Sequence, residues 1–287
     1  MKRIMLLTLA ALTAGTFCYA KDGKKEETSN VKELNYRTVD NAKLTMKIYY
    51  PPKFDPAAGK KLPAIVFFFG GGWTGGTIGH FAKQSQYLAD RGMIAVCPQY
   101  RTQKSHKVTP DKCLEDAKSA MRYVYSHAVE LGIDDNKILA GGGSAGGHLA
   151  AAVAFCDKFN APGDDLKVPC KPKALVLFNP VIDNSDKGYG YDRVKAFWKD
   201  FSPMHNIGKN PPPTLFMVGD SDKLIPVATA EKYKEIMEKN GGKCELIIYK
   251  GCPHGFFNAG KKNNKHKETI AAMDKFLTGL GYLKPKK

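Results

Sequence analysis

The sequence is short of acidic residues: its 287 residues include 28 aspartates and glutamates against 44 lysines and arginines, a formal net charge of +16. It contains no C-x-x-C pair among its seven cysteines, which argues against a zinc ribbon or a thioredoxin-type redox site. Its first apolar run, at residues 4–14, is shorter than the roughly 20 residues that span a bilayer. No internal repeat or long linker divides the chain, so we expect one domain, with no stable membrane insertion.

The first 20 residues have the pattern of a cleavable export signal. Two basic residues precede the apolar run, and the small residues Cys18 and Ala20 stand at the −3 and −1 positions of a cleavage site. We expect cleavage after Ala20, a polar leader at 21–33 and a secreted or periplasmic domain at 34–287. Lipid attachment at Cys18 is the alternative, which the bulky Phe17 before it disfavours.

Without that signal, 42 basic residues stand against 28 acidic ones, and the lysines are scattered along the chain. Scattered lysines are typical of a solubilising surface. The alternative is an affinity for polyanions such as uronic-acid-bearing polysaccharide. The lysine-rich stretches at 21–25 and 284–287 predict frayed ends and not nucleic-acid-binding arms.

The cysteines of the mature chain leave two possibilities. An exported protein with an even number of cysteines can form disulfides, and the pairs Cys156–Cys170 and Cys244–Cys252 would each close a short loop. The alternative is buried free thiols. The six cysteines are Cys97, Cys113, Cys156, Cys170, Cys244 and Cys252.

Short runs rich in β-branched and aromatic residues alternate with longer helical segments. The runs predict strands at 34–39, 44–50, 64–69, 93–97, 137–140, 173–178, 213–218 and 245–250. Helices are predicted at 80–90, 110–131, 144–156, 226–240 and 265–280. Strands separated by helices favour right-handed β-α-β crossovers, so we expect an α/β protein with a mostly parallel sheet and helices on both faces.

The sequence GGSAG at residues 142–146 fits the pattern G-x-S-x-G and falls between a predicted strand and a predicted helix. A nucleophile on such a sharp turn has a strained backbone, so the residues two before and two after it must be tiny, and both are glycine. Gly147 lets the helix pack close to the strand. A glycine-rich turn with Ser144 as a helix N-cap is the alternative, but the flanking elements favour a nucleophile.

A serine hydroxyl needs a base, and after this kind of turn the base is a histidine that follows the acid in the chain. His254 follows the strand at 245–250 in a turn-forming Gly-Cys-Pro-His-Gly loop, so we expect it to be that base. His205 precedes the main acid candidates. His148 lies on the nucleophile's own helix, where it cannot easily reach the hydroxyl.

Three aspartates compete for the acid that orients the histidine. Asp222 lies on the loop after the strand at 213–218, in reach of the next loop. It is favoured over Asp220, which is closer to the strand and suited to capping the turn. Asp183 is the third candidate. The acid holds the imidazole tautomer and stabilises its charged form.

Acyl transfer also needs hydrogen-bond donors for the negative charge that develops on the carbonyl oxygen. The backbone N–H of Ala145, directly after the serine, is one expected donor. Gly71 and Gly72 are the others, because a glycine amide approaches a substrate without a Cβ atom in the way. A merely flexible glycine loop is the alternative.

Together these motifs resemble the α/β-hydrolase superfamily, in particular esterases of the hormone-sensitive-lipase-like and acetylxylan/feruloyl esterase groups. GGGW at 70–73 is similar to their His-Gly-Gly-Gly-Trp loop, and SAGGHLA at 144–150 to their nucleophile turn. DKLIP at 222–226 and HGF at 254–256 resemble their acid and histidine loops. The resemblance covers the chain from residue 34 onward. It implies an eight-stranded sheet with an antiparallel second strand, and hydrolysis without a metal or another cofactor.

One position departs from that pattern. Phe69 stands where the family's loop usually has a histidine, a side chain taken to brace the loop. The departure leaves the geometry of this loop, and hence the range of substrates, open.

The connection at 181–212 is longer than usual and rich in aromatic residues. It predicts a small cap over Ser144 whose aromatics stack on a sugar ring or a feruloyl group. Packing of the same aromatics against the domain's own surface is the alternative. The candidate pocket residues are Trp73, Tyr189, Tyr191 and Trp198.

These features predict a secreted serine carboxylesterase that removes short acyl or feruloyl groups from small esters or acylated polysaccharide. An acyl-enzyme on Ser144 would be hydrolysed by water that His254 activates. A serine peptidase of the prolyl-oligopeptidase type is one alternative, although the chain has no room for the propeller domain those proteins usually carry. A non-catalytic binding protein on a hydrolase scaffold is the other.

Overall fold

The structure is a computed structural model that describes residues 30–260 and 264–286. The predicted signal peptide lies outside these residues, as does most of the predicted leader. Residues 30–33 belong to the first strand, so the prediction that the leader extends to residue 33 is wrong. Within the described part of the chain, no helix has both the length and the apolar character to cross a membrane.

Eight strands form one sheet in the order β1-β2-β4-β3-β5-β6-β7-β8. β2 is antiparallel to both of its neighbours, and the remaining pairs are parallel, which confirms the predicted α/β-hydrolase sheet. The strands are β1 (Asn30–Val39), β2 (Ala42–Tyr50), β3 (Leu62–Phe68), β4 (Ile94–Pro98), β5 (Ile133–Gly143), β6 (Leu175–Phe178), β7 (Thr214–Gly219) and β8 (Cys244–Tyr249).

Helices cover both faces of the sheet. They are α1 (Ala82–Asp90), α2 (Gln103–His106), α3 (Pro110–Ser126), α4 (Ala145–Phe155), α5 (Tyr191–Val194), α6 (Trp198–Phe201), α7 (Val227–Lys239) and α8 (His266–Gly279). On one face α3, α4 and α7 bury their apolar sides, and on the other α1 and α8 do so. Successive residues of β3 point to opposite faces, so Val66 joins the first core and Phe67 the second, which explains its unbroken apolar sequence.

Two predicted elements differ from the observed ones in length. α3 ends at Ser126 instead of residue 131. The chain continues in hydrogen-bonded turns, in which the Ala128 carbonyl accepts a bond from the Ile133 amide. β5 begins at Ile133, earlier than the predicted 137, because its first residue already pairs with β3. Pairing with β3 alone thus extends the strand beyond what its own sequence indicates, since β6 joins β5 only from Ala140.

The lysine-rich C-terminal stretch is held in place as far as residue 286. The carbonyl of Lys284 accepts a hydrogen bond of 2.6 Å from Arg91 Nη2. The Lys286 ammonium lies 3.8 Å from the Asp274 carboxylate and 5.4 Å from the centre of the Tyr87 ring. The prediction of a frayed end is therefore wrong for these residues.

The six cysteines of the described chain are free thiols. Cys244 begins β8 and Cys252 follows its end, so the strand itself separates them and the predicted bridge does not form. The predicted bridge between Cys156 and Cys170 is also absent. Burial raises the pKa of the Cys156 thiol to about 12, so this group stays protonated.

The connection at 181–212 contains α5, α6 and a turn of 3-10 helix (Pro203–Asn206). Phe201 is fully buried, with its ring 5.8 Å from those of Trp73 and Phe159. Phe197 also packs on Phe159. These two phenylalanines therefore pack against the domain itself, while the predicted cap over the serine stays a prediction.

Candidate active site

The loops after β3, β5, β6, β7 and β8 lie at one edge of the sheet, because parallel strands end together. Gly70 follows β3, Ser144 follows β5 and Asn179 follows β6. Asp222 follows β7 and His254 follows β8. Five separate segments therefore converge on the position that the sequence assigns to the nucleophile.

Ser144 has the strained backbone expected of a nucleophile turn, with φ 55° and ψ −122°. Its neighbours must be glycine for a steric reason. A Cβ atom on Gly142 would lie 2.4 Å from the Gly146 carbonyl oxygen, and one on Gly146 would lie 2.1 Å from the Phe68 carbonyl oxygen. Both contacts are with backbone, which cannot move aside without disturbing α4 in the first case and β3 in the second.

His254 bridges the serine and an aspartate. Its Nε2 lies 2.9 Å from Ser144 Oγ, and its Nδ1 lies 2.7 Å from Asp222 Oδ2. A carboxylate only accepts, so Nδ1 carries the proton and Nε2 presents a lone pair to the hydroxyl. The other Asp222 oxygen accepts hydrogen bonds of 2.8 and 3.0 Å from the amides of Leu224 and Ile225. The buried carboxylate is thus fixed on its own loop and aimed at the imidazole.

The two competing aspartates have other partners. Asp220 accepts a hydrogen bond of 2.6 Å from the Gly251 amide, so it ties the loop after β7 to the loop after β8. Asp183 accepts one of 2.8 Å from the Ser185 amide, within its own turn. Neither is bonded to His254, whereas Asp222 is.

The two competing histidines are also occupied elsewhere. His205 Nδ1 lies 2.9 Å from the Ser202 hydroxyl. His148 is fully buried on α4, where Nε2 donates to the Phe201 carbonyl at 3.0 Å and burial lowers its pKa to about 3. Within 30–260 and 264–286, no three histidine, cysteine, aspartate or glutamate side chains converge as metal ligands.

Three backbone amides beside the serine are available as donors. In the described chain, no group accepts a hydrogen bond from the amide of Gly71 or Gly72. Ala145 is the first residue of α4, so its amide has no acceptor within the helix. The loop bearing the two glycines adjoins Ser144, since a Cβ atom on Gly70 would lie 3.3 Å from Ser144 Cβ.

Other residues brace this glycine loop in place of the missing histidine. The ring of Phe69 stacks on Tyr100 with centroids 3.9 Å apart, and the Tyr100 hydroxyl donates to the Phe69 carbonyl at 2.7 Å. The amide of Gly70 donates to His80 Nδ1 at 2.9 Å. No sequence motif singles out His80. The one signal in the sequence was Phe69 itself, because a phenylalanine in place of the usual histidine means that another side chain has to hold the loop by a hydrogen bond.

Asn179 is a second residue of the site that was not predicted from the sequence. Its Nδ2 lies 3.3 Å from His254 Nε2, and its Oδ1 accepts a hydrogen bond of 3.1 Å from the Gly255 amide. It is fully buried at the end of β6, with φ 35°. No motif marks this asparagine, because it meets the histidine loop 75 residues further along the chain.

The candidate pocket residues have different surroundings. Trp73 is only 1% exposed, so it supports the glycine loop from inside instead of lining a pocket. Tyr189 is partly exposed, with its ring 5.9 Å from Trp73. Trp198 packs edge-on against His205 at 5.1 Å, and Tyr191 begins α5. Of the four, Tyr189 combines proximity to the loop with exposure.

Known proteins resemble this chain throughout the described domain. The BD-FAE family model matches residues 46–186, and that of the dienelactone hydrolase family matches residues 187–284. The apo form of Thermogutta terrifontis esterase 2 superposes with a TM-score of 0.84 and 40% identity, over 92% of this chain and 98% of that one. The ethyl acetate hydrolase of Pseudomonas putida is 26% identical, over 83% of this chain and 79% of that protein. The acetylxylan esterase of Xylanibacter ruminicola is 25% identical, over 80% of this chain and 47% of that protein.

The sheet, the nucleophile turn and these relatives define the chain as an α/β-hydrolase. Within that superfamily it belongs to the esterase family of Thermogutta terrifontis esterase 2, and it is a carboxylic ester hydrolase. The non-catalytic binding protein that the sequence left open is thereby excluded.

Proposed function

We propose that the protein is a secreted serine esterase in which Ser144, His254 and Asp222 form the catalytic triad. The observation that carries this proposal is the pair of hydrogen bonds on His254, 2.9 Å to the serine hydroxyl and 2.7 Å to the carboxylate. Serine, imidazole and carboxylate in this order are the arrangement that activates a hydroxyl for acyl transfer.

The reaction then follows from the positions of the groups. As Ser144 Oγ attacks the acyl carbon, His254 Nε2 takes its proton and Asp222 stabilises the imidazolium. The amides of Ala145, Gly71 and Gly72 bind the developing oxyanion. Collapse of the tetrahedral species passes the proton to the leaving alcohol. Water deprotonated by the imidazole then attacks the acyl-enzyme and releases the acid.

Short acyl groups are the proposed substrates. In support, structures of Thermogutta terrifontis esterase 2 hold propionate and butyrate, and one relative is an ethyl acetate hydrolase. The acetylxylan esterase relative supports acylated polysaccharide as the natural source of the ester, and feruloyl groups are included in the proposal. Secretion is proposed from the pattern of the first 20 residues alone.

The test is a substrate panel of 4-nitrophenyl acetate, ethyl butyrate, methyl ferulate and acetylated xylan, with wild type and Ser144→Ala. We expect Ser144→Ala to lower kcat on the aryl ester by at least about 10⁴-fold. Ser126→Ala, at an exposed serine, is the matched control and should keep full activity. Unchanged turnover by Ser144→Ala would refute the triad.

Two further outcomes refine the proposal. Cleavage of the small esters with no acetate released from xylan would refute the carbohydrate substrate. Expression of the full chain in bacteria, followed by fractionation and N-terminal sequencing, tests export. A mature protein that begins at Lys21 outside the cytoplasm supports export, and an intact Met1 in the cytoplasm refutes it.

A further inference from the structure

The guanidinium of Arg193 rests against the loop that bears the proposed oxyanion donors. It lies over the ring of Trp73 at 5.0 Å and over the ring of Tyr189 at 5.1 Å. Its Nη1 donates a hydrogen bond of 2.5 Å to the carbonyl of Gly72. Two aromatic faces and one carbonyl therefore hold this cation in a defined position.

The chain before Arg193 is shaped to leave room for the cation. Gly190 has φ 79°, and a Cβ atom there would lie 2.8 Å from Arg193 Nη2 and 3.0 Å from Trp73 Cζ3. Another residue at this position would be strained, and its side chain would push the guanidinium off the indole. The position of the guanidinium against the indole therefore depends on a glycine at residue 190.

The positive charge of Arg193 is not neutralised by the part of the chain that the structure describes. No carboxylate there lies within ion-pair distance, not even that of the adjacent Asp192. An arginine carries five N–H groups and stays protonated. The side-chain bond to Gly72 uses one of them, and the residue is exposed. The remaining donors are available to a ligand.

The cation lies next to the proposed reaction centre. Gly72 donates its amide to the proposed oxyanion hole and accepts the Arg193 bond at its carbonyl. The same loop approaches Ser144 at Gly70, where a Cβ atom would be 3.3 Å from the serine Cβ. An ester whose carbonyl oxygen accepts from the Gly72 amide would therefore have the guanidinium beside one of its two arms.

We infer that Arg193 binds a carboxylate on the substrate, so that the enzyme prefers esters with an anionic arm, such as half-esters of dicarboxylic acids or acyl esters of hydroxy acids and uronic acids. This inference rests on the proposed function of Ser144. The planar guanidinium matches a carboxylate with two parallel hydrogen bonds, which a lysine ammonium does not reproduce. The aromatic faces keep it oriented before the substrate arrives, so little side-chain freedom is lost on binding.

The experiment compares kcat/KM for two pairs of esters that have nearly the same shape and differ in charge. Monoethyl succinate and ethyl levulinate place the carboxylate or a methyl ketone on the acyl arm. Acetoxyacetate and acetoxyacetone place them on the alcohol arm. We expect wild type to prefer the anionic member of one pair by about tenfold, and added salt to reduce that preference.

Arg193→Gln should remove most of this anionic preference, and Arg193→Lys should restore only part of it. The matched control is Lys195→Gln, which removes one exposed positive charge two residues away and should leave the preference within about twofold. The ratio within a pair is the readout, because loss of the brace on Gly72 would lower both rates together.

Two results would overturn the inference. One is a wild type with no anionic preference in either pair, which needs no variant. The other is an Arg193→Gln enzyme whose ratio is unchanged, since the arginine would then only brace the loop. Failure of the proposed function is recognised separately, because Ser144→Ala would then still hydrolyse the neutral esters.

Discussion

The Nδ1 atom of His80 accepts a hydrogen bond of 2.9 Å from the backbone nitrogen of Gly70. Because Nδ1 accepts, the ring proton is on Nε2, which donates to Asn258 Oδ1 at 2.6 Å. Asn258 in turn donates from Nδ2 to the carbonyl of Gly255, next to the proposed base His254. One histidine therefore connects the glycine loop to the loop of the base.

His80→Ala should lower kcat by between about 10- and 100-fold, because the loop amides are then less well held against the developing oxyanion. The effect on KM should be smaller, since the donors act mainly in the transition state. His80→Gln, which keeps an acceptor and a donor, should recover part of kcat. Steady-state kinetics with 4-nitrophenyl butyrate measures both constants, with His127→Ala at the end of α3 as control. An unchanged kcat in His80→Ala would show that Tyr100 alone holds the loop.

Asp222→Asn should lower kcat by about 10⁴-fold, because an amide at this position no longer holds the productive imidazole tautomer. Asp220→Asn is the matched control on the same loop and keeps the oxygen that accepts from Gly251. We expect the kcat of Asp220→Asn to stay close to that of wild type. An equal loss in the two variants would contradict the assignment of the acid.

Gly146→Ala should destabilise the fold by about 3 kcal/mol or more, since its Cβ atom would lie 2.1 Å from the Phe68 carbonyl oxygen and 2.4 Å from that of Phe69. Gly279→Ala is the control, because nothing lies within 4 Å of its Cβ position at the end of α8. That change should stabilise the protein by up to about 1 kcal/mol. Urea unfolding of both variants gives the two free energies, and a Gly146→Ala protein as stable as wild type would refute the steric argument.

The buried His148 makes the stability depend on pH. Burial lowers its pKa from 6.5 to about 3, so the unfolded chain takes up this proton at a higher pH than the folded one does. The free energy of unfolding should therefore fall by about 1.4 kcal/mol per pH unit from this group as the pH drops from about 6.5 towards 3. His148→Gln should lose less stability between pH 6 and pH 4, whatever its stability at pH 7. If the free energies of unfolding of wild type and His148→Gln fall equally between pH 6 and pH 4, His148 is not the source of the pH dependence.

Local sequence patterns were enough to predict the parallel sheet and those site residues whose positions depend on a single turn. The apolar strands and their spacing by helices specify a parallel sheet, because each strand must be covered on both faces. The glycines around Ser144 follow from the sharp turn at that residue, and the steric contacts of Gly142 and Gly146 explain them. The loop of His254 was likewise recognisable from its turn-forming neighbours.

The remaining features depend on contacts between distant parts of the chain. Asp222 and Asp220 occupy one loop, and packing alone aims Asp222 at His254 and Asp220 at the Gly251 amide. Cys156 and Cys170 are close in sequence, yet the fold keeps both as free thiols.

The sequence by itself determined which loops carry the proposed nucleophile and the proposed base, because the order of strands and helices along the chain and the geometry of single turns follow from local spacing. Only the tertiary structure decided which carboxylate is hydrogen-bonded to His254 and which side chains brace the glycine loop. His80 reaches across 178 residues to Asn258, and Arg193 reaches across 121 residues to Gly72. Hydrogen-bond geometry between such distant residues follows from the packing of the whole domain, which no local pattern specifies.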